Sequence, residues 1–283
     1  MKSWWEFCKL EDANPFEADE KTILTCLTQK FNEGAAYGTL NTMRSAISLL
    51  NTFDLSDSKL LNRFFKGVFK LRPSLPKYDK TWDPDLVLQN LESWEQTEKL
   101  DLQRLTEKLV MLLALASGFR VQSLALIKLD GISISSQSIE ITINELIKTS
   151  KIGSARPRVV LPFFKDKPKL CVASILVHYI NITRDLRNDT SNLFISYKKP
   201  HKPVTSQTIS RWLKKILVDS GISEDFSAHS TRHASTSKAF RKGLNMNTIK
   251  NAAGWSERST TFSKFYNRPV LNLEENFAQI VMS

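Results

Sequence analysis

Ala228-His229-Ser230-Thr231-Arg232-His233, followed by Ala253-Gly254-Trp255-Ser256 and then Phe262-Ser263-Lys264-Phe265-Tyr266-Asn267-Arg268-Pro269, sets a histidine, an arginine, an indole and a phenol in fixed order along a basic chain. These residue types suit phosphodiester chemistry. Arginine presents paired planar donors to a phosphate, histidine and an indole N–H can bond its remaining oxygens, and a tyrosine hydroxyl can attack phosphorus.

Working outward from that stretch, helical periodicity marks Thr231 to Lys242 and Asn247 to Ala253, and upstream Thr205 to Ser220 and Val172 to Thr183. Ile139-Glu140-Ile141-Thr142-Ile143 alternates as a strand does. Arg158-Val159-Val160-Leu161-Pro162 is a second short β run, and Lys148 to Pro157 between them, with Gly153, can close a hairpin. Leu102 to Gly118 is apolar enough for a core helix, preceded by a helical Pro84 to Trp94. The first part of the chain reads as helices at Lys21 to Asn32, Thr39 to Leu50 and Leu60 to Leu71, with Thr22 and Ser56 as possible caps and Asn51, Thr52 and Asp54 marking a turn. Arg72-Pro73-Ser74-Leu75-Pro76-Lys77-Tyr78 favours extended backbone and is the best linker in the sequence. The expected fold class is mainly α with a small antiparallel β-sheet (α+β): a helical domain over 1–75 and a larger domain over 76–283, with a terminal amphipathic helix over 271–281.

At 283 residues the chain can hold two domains, each with its own core. No apolar run approaches a membrane span and Met1-Lys2-Ser3-Trp4-Trp5-Glu6 lacks a signal-peptide core, so a soluble intracellular protein with no membrane association is expected. Cys8, Cys26 and Cys171 are odd in number and far apart, which reads as reduced, buried thiols. The net charge of +11 is unevenly placed. Residues 1–84 hold 12 Lys and Arg against 11 Asp and Glu, whereas residues 148–215 hold 15 against 3. A block that lopsided suits a surface that follows phosphates, although a solvated face is the plainer reading of any charge run.

Taken singly, the chemical residues have ordinary readings. Arg120 alone is a surface or capping arginine, Trp255 a core aromatic, and Tyr266 one of five tyrosines. His229 and His233, four apart, share a helix face as zinc ligands do, but no third ligand accompanies them, so neither metal nor other cofactor is expected. A phenol of pKa ~10 is a poor nucleophile at neutral pH, so nearby cations must help it lose its proton.

The order Gly118-Phe119-Arg120-Val121, a hairpin lysine, His229-x-x-Arg232, Gly254-Trp255 and Tyr266 resembles the tyrosine recombinase family of phage integrases. The resemblance covers nearly the whole chain. Asn14-Pro15-Phe16, Tyr37-Gly38-Thr39-Leu40-Asn41-Thr42-Met43-Arg44-Ser45-Ala46-Ile47-Ser48 and Phe65-Lys66-Gly67-Val68-Phe69-Lys70-Leu71-Arg72-Pro73 further resemble the recombinases of DIRS-like retrotransposons, with Crypton elements as near relatives.

That resemblance implies a SAM-like core-binding domain and a catalytic domain closing as a C-shaped clamp on double-stranded DNA. It also implies strand exchange through a 3′-phosphotyrosine without metal or ATP, and nuclear residence. Tyr266 would be the nucleophile, Arg120 and Arg232 the holders of the non-bridging oxygens, His229 the proton carrier, and Trp255 an indole donor. Lys148, with Lys151 as the alternative, would protonate the leaving 5′-oxygen. Further DNA contacts are expected from Arg44, Lys66, Lys70, Lys151, Arg156, Lys202 and Arg211. The implied assembly is a homotetramer on two duplexes that exchanges the helix over 271–281. Asn14-Pro15-Phe16 lies so close to the start that an upstream helix is expected to be missing. Ser123 stands where many relatives carry an acidic residue, and the interval from Trp255 to Tyr266 is two residues longer than in typical bacterial members.

Three other functions fit parts of this reading. A domesticated DNA-binding protein would need no Tyr266; a type IB topoisomerase would share the chemistry but relax supercoils as a monomer. A metal nuclease would need a carboxylate cluster that the sequence lacks.

Overall fold

The computed structural model describes residues 1–270 except 53, 54, 56, 74, 148, 149, 151–155 and 257. It divides into two compact units, Met1–Pro76 and Lys77–Ser283.

In the first unit, α1 (Lys2–Leu10), α2 (Glu20–Asn32), α3 (Tyr37–Ser48) and α4 (Lys59–Leu71) surround a core of Trp4, Ile23, Leu27, Leu40, Ile47, Leu61 and Phe65. Helix α1 precedes Asn14-Pro15-Phe16, where the sequence reading placed no helix. Trp4, Phe7 and Cys8 at i, i+3 and i+4 give it a buried face, and the Trp4 indole N–H reaches the Pro15 carbonyl at 3.3 Å. The cap of α2 is Asp19, not Thr22: the Asp19 carboxylate accepts from the Thr22 backbone N–H at 2.8 Å, and hydrogen bonding from Thr22 lowers its pKa. Ser58 caps α4 through the Leu61 N–H; Ser56 and Asp54 lie outside the described residues. The linker is shorter than Arg72 to Tyr78. Arg72 donates to the Phe31 and Ala35 carbonyls and covers the Phe31 ring, while Tyr78 is buried in the second unit.

The second unit is built on α6 (Leu102–Ser117), whose Leu105, Leu109, Leu112 and Leu113 are buried together with α5 (Pro84–Ser93), α8 (Val172–Thr183) and α9 (Ser206–Asp219). Beside the helices lies an antiparallel sheet in the order β1 (Ile132–Ile134), β2 (Ser138–Thr142), β3 (Arg158–Pro162). Ile139 opposes Leu161 and Ile141 opposes Val159, so alternate residues of β2 enter the core. Of two short helices, α11 (Met246–Ala252) packs on α10 (Ser230–Arg241), the helix on which the site is built, and α7 (Val121–Ala125) packs on α9 and α6. All three cysteines are free and buried. Among the described residues no helix is long and apolar enough to cross a membrane.

Candidate active site

Helix α10 is polar in sequence yet buried in position: Ser230, Thr231, Arg232, His233, Thr236 and Ser237 are all inside. Most of these side chains find local partners. Ser230 accepts from the Trp82 indole at 2.8 Å, Thr231 donates to the Ala228 carbonyl, and Thr236 donates to the Arg232 carbonyl. Arg232 and His233 are the exceptions, and Arg232 is the charged one. It is 1% exposed and stacks on Trp255 at 4.0 Å, and only its Nη1 is bonded, to the Gly118 carbonyl at 2.7 Å. Its Nε and Nη2 are buried with no hydrogen-bond partner. Burial first, and then the Arg120 charge, push its pKa down to about 9, which leaves it charged at neutral pH. A buried, unpaired charge costs several kcal/mol unless an anion joins it.

Gly118 closes α6 in the left-handed region at φ 60°, turning the chain so that its carbonyl meets Arg232 and Arg120 follows at the N-cap of α7. Arg120 is half-buried and lines an open groove of about 900 Å³ with Gln207, Arg211, Lys214, Ser227 and His229. Arg120 and Arg232 both act on His229, whose pKa falls to about 4, through burial first and then the Arg232, Arg120 and Lys77 charges. The imidazole is therefore neutral at physiological pH. Its Nε2 lies 2.7 Å from the Tyr266 hydroxyl, and the tautomer with Nε2 bare accepts the phenol proton.

Tyr266 ends a π-helical turn, Phe262–Tyr266, closed by the Asn267 N–H on the Phe262 carbonyl at 2.8 Å. The fully buried Phe262 anchors this wider turn. Beyond it, Ser237 donates to the Tyr266 carbonyl at 2.7 Å and accepts from the Arg268 N–H at 3.2 Å. Pro269 accepts from Thr81 N–H, and Thr81 bridges Val270 in parallel. The tyrosine is thus presented to the His229 and Arg232 of its own chain.

Arg120, His229, Arg232, Trp255 and Tyr266 therefore come together around one point. Trp255 packs edge-on to Tyr266 at 4.7 Å, and its Nε1 donor is buried without a partner. Lys148 and Lys151, and the segment 271–281, lie outside the described residues. Of the expected DNA contacts, Lys66, Lys70, Lys202 and Arg211 are exposed, Arg156 is exposed and bonded to Asn144, and Arg44 packs over Phe65 at 4.7 Å. Other members of the basic block are structural. Arg187 is buried on the Asn192 and Leu193 carbonyls, Arg158 pairs with Glu140, Lys215 with the buried Glu107 at 2.9 Å, and Lys169 holds the Glu92 and Trp94 carbonyls. Sequence reasoning missed Lys77, Tyr78, Ser237 and the place of His233, because each acts through a tertiary contact with no local motif. Among the described residues no group of three His, Cys, Asp or Glu could hold a metal.

The phage integrase family model matches residues 87–270. The chain belongs to the phage integrase family. Among curated proteins, the tyrosine recombinase XerD of Staphylococcus haemolyticus (strain JCSC1435) is 22% identical over 250 residues, 86% of this chain and 76% of that protein. A tyrosine recombinase of Thermosipho africanus (strain TCF52B) is 32% identical over 111 residues, 39% of this chain and 35% of that protein. Solved folds agree. The XerH site-specific recombinase bound to its difH substrate matches with a TM-score of 0.58 and 17% identity, over 94% of this chain and 70% of that one. The Tn1549 transposon integrase in complex with circular intermediate DNA matches with a TM-score of 0.60 and 12% identity, over 96% and 87%. As a phage integrase family member, the protein is a tyrosine recombinase, an enzyme of DNA breakage and rejoining.

Proposed function

We propose that this integrase-family protein is the site-specific recombinase of a mobile element and joins DNA through a 3′-phosphotyrosine at Tyr266. The Tyr266 oxygen attacks the scissile phosphorus as its proton passes to His229, the bond to the 5′-oxygen breaks, and that oxygen takes a proton from the hairpin lysine, Lys148 or Lys151. Attack by a 5′-hydroxyl on the phosphotyrosine reverses these steps and returns the proton to the phenol. The phosphoester bond is conserved throughout, so no ATP is needed. Arg232 and Arg120 neutralise the extra charge of the pentacoordinate transition state, and Trp255 adds its indole donor.

One observation carries this reading: the Tyr266 hydroxyl lies 2.7 Å from His229 Nε2. The buried guanidinium of Arg232, with two donors unused, supports it as a waiting phosphate site. Double-stranded DNA is the substrate, in keeping with the DNA-bound recombinase and integrase structures above, and the exposed Lys66, Lys70, Lys202 and Arg211 would track its phosphates. Assembly as a tetramer with exchange of the segment 271–281 follows from the resemblance to the tyrosine recombinase family, and nuclear residence from the resemblance alone; the curated relatives are bacterial. The test is incubation in EDTA with a library of nicked duplexes of randomised sequence, scoring denaturation-resistant protein–DNA adducts. An adduct present in wild type and lost in Tyr266→Phe is expected. Adduct formation that needs a divalent metal, or survives in Tyr266→Phe, would overturn the mechanism.

A further inference from the structure

The face of the Tyr266 ring is occupied by a residue that the proposed chemistry does not use. His233 stacks on it with centroids 4.1 Å apart and planes at 17°. Its own ring is held edge-on by Tyr78 at 5.4 Å and by His229 at 5.7 Å, and it is buried. Tyr78 is fixed in turn: its hydroxyl pairs with Ser227 Oγ at 2.9 Å and accepts the Ser227 N–H at 3.0 Å. Tyr266 thus stacks on His233, and Tyr78, edge-on to His233, ties that pair to the backbone just before His229.

The backbone around Tyr266 is already pinned by Ser237 and by the π-turn, which leaves the two side-chain torsions of the phenol as its freedom. Attack on phosphorus needs the oxygen in line with the leaving group, and a misplacement of about 1 Å can cost on the order of a hundredfold in rate. A flat ring packed face to face removes much of the remaining rotation. We infer that His233 is a positioning residue for the proposed nucleophile, fixing the plane of the Tyr266 ring by stacking while taking no part in proton transfer. Its chemistry fits that role. Nδ1 is buried with no partner, and burial, with the charges around it, keeps the imidazole neutral with a pKa of about 3, so it stacks as a neutral ring.

This inference rests on the reading of Tyr266 as nucleophile, and the experiment separates the two. Single-turnover adduct formation is measured with excess protein on a nicked duplex recovered from the randomised library, for wild type, Tyr266→Phe, His233→Ala, His233→Gln and His233→Phe. DNA affinity and thermal unfolding are followed in parallel. Loss of the ring in Ala and Gln is expected to slow cleavage at saturating DNA by about tenfold to a hundredfold with affinity unchanged within about threefold. Phe, which keeps a flat face and lacks both nitrogens, is expected to restore the rate to within about fivefold of wild type. Gln at the wild-type rate, or Phe as slow as Gln, would overturn the positioning role while leaving Tyr266 as nucleophile. An adduct that persists in Tyr266→Phe, or no adduct on any duplex, would overturn both. Should Ala unfold, the comparison of Gln with Phe decides.

Discussion

Nη1 of Arg232 donates to the carbonyl of Gly118 at 2.7 Å, and Gly118 stands two residues before Arg120. One hydrogen bond thus joins the buried arginine of α10 to the turn that presents the other. The Arg120 charge lowers the Arg232 pKa, so the two guanidiniums repel each other, and this backbone contact ties Arg232 to the turn that carries Arg120.

Gly118→Ala tests that turn. At φ 60° a side chain is strained, while the added Cβ would meet only Thr236 Cγ2 at 3.7 Å and Ser235 Oγ at 3.8 Å, which is ordinary contact. The loss should therefore come from the backbone, about 1–2 kcal/mol by urea unfolding. Adduct formation should fall about tenfold as the Gly118 carbonyl shifts.

On the proposed mechanism, Arg232 is a charge buried for function at the expense of stability. Arg232→Met should abolish adduct formation while leaving the unfolding free energy unchanged or raised by up to about 2 kcal/mol. Arg232→Lys keeps the charge without the planar fork and should lose at least about a hundredfold in cleavage. Urea unfolding and adduct yield on the same preparations check both expectations.

The two histidines should make the fold acid-sensitive. Folded pKa values of about 4 for His229 and about 3 for His233 lie below the ordinary 6.5, because burial and nearby cations oppose the charged forms. Below pH 6.5 the unfolded chain takes up protons that the folded one refuses. Stability is therefore full above that pH and falls as pH drops through 6.5 toward 3, by up to about 8 kcal/mol in all at ~1.4 kcal/mol for each tenfold difference in proton affinity. Thermal unfolding between pH 7 and 4 should show this decline, and His233→Phe should make it shallower.

Lys108 on α6 is fully buried, its Nζ has no partner, and burial with the Lys169 charge lowers its pKa to about 8. Since the unfolded value is near 10.5, the folded state is penalised for the proton at neutral pH, and stability from this group rises as pH climbs from about 8 to 10.5. Lys108→Met should raise stability at pH 7 by about 1–3 kcal/mol and flatten that rise, as measured by denaturant unfolding at pH 7 and pH 9.5.

Much of this architecture is legible residue by residue. The apolar spacing along α2, α4, α6 and α9 and the alternation in β2 are local patterns, so the sequence predicts these elements directly. Helix α1 also carries a local signal in Trp4, Phe7 and Cys8. Strand β1 has only three residues, with a pattern too short to stand out before its pairing with β2 is seen. For the site, the order of Arg120, His229, Arg232, Trp255 and Tyr266 points to the chemistry, but not to the geometry. The Arg232 bond spans 114 residues and the His229 bond to Tyr266 spans 37, so neither has a spacing rule. His233 resembles half of a metal pair in sequence because helical spacing shows a shared face and cannot show which ring lies across from it. Charge counting likewise overstates the phosphate-facing surface, since Arg187 and Lys169 are spent on carbonyls of their own unit.

Tyr266 is the residue proposed to form the covalent bond to DNA. The most direct test is to trap the protein on a nicked duplex in EDTA, digest both components, and locate the nucleotide-bearing peptide by mass spectrometry. A nucleotide on the peptide and side chain of Tyr266 is the predicted result; a nucleotide on any other residue would contradict the account.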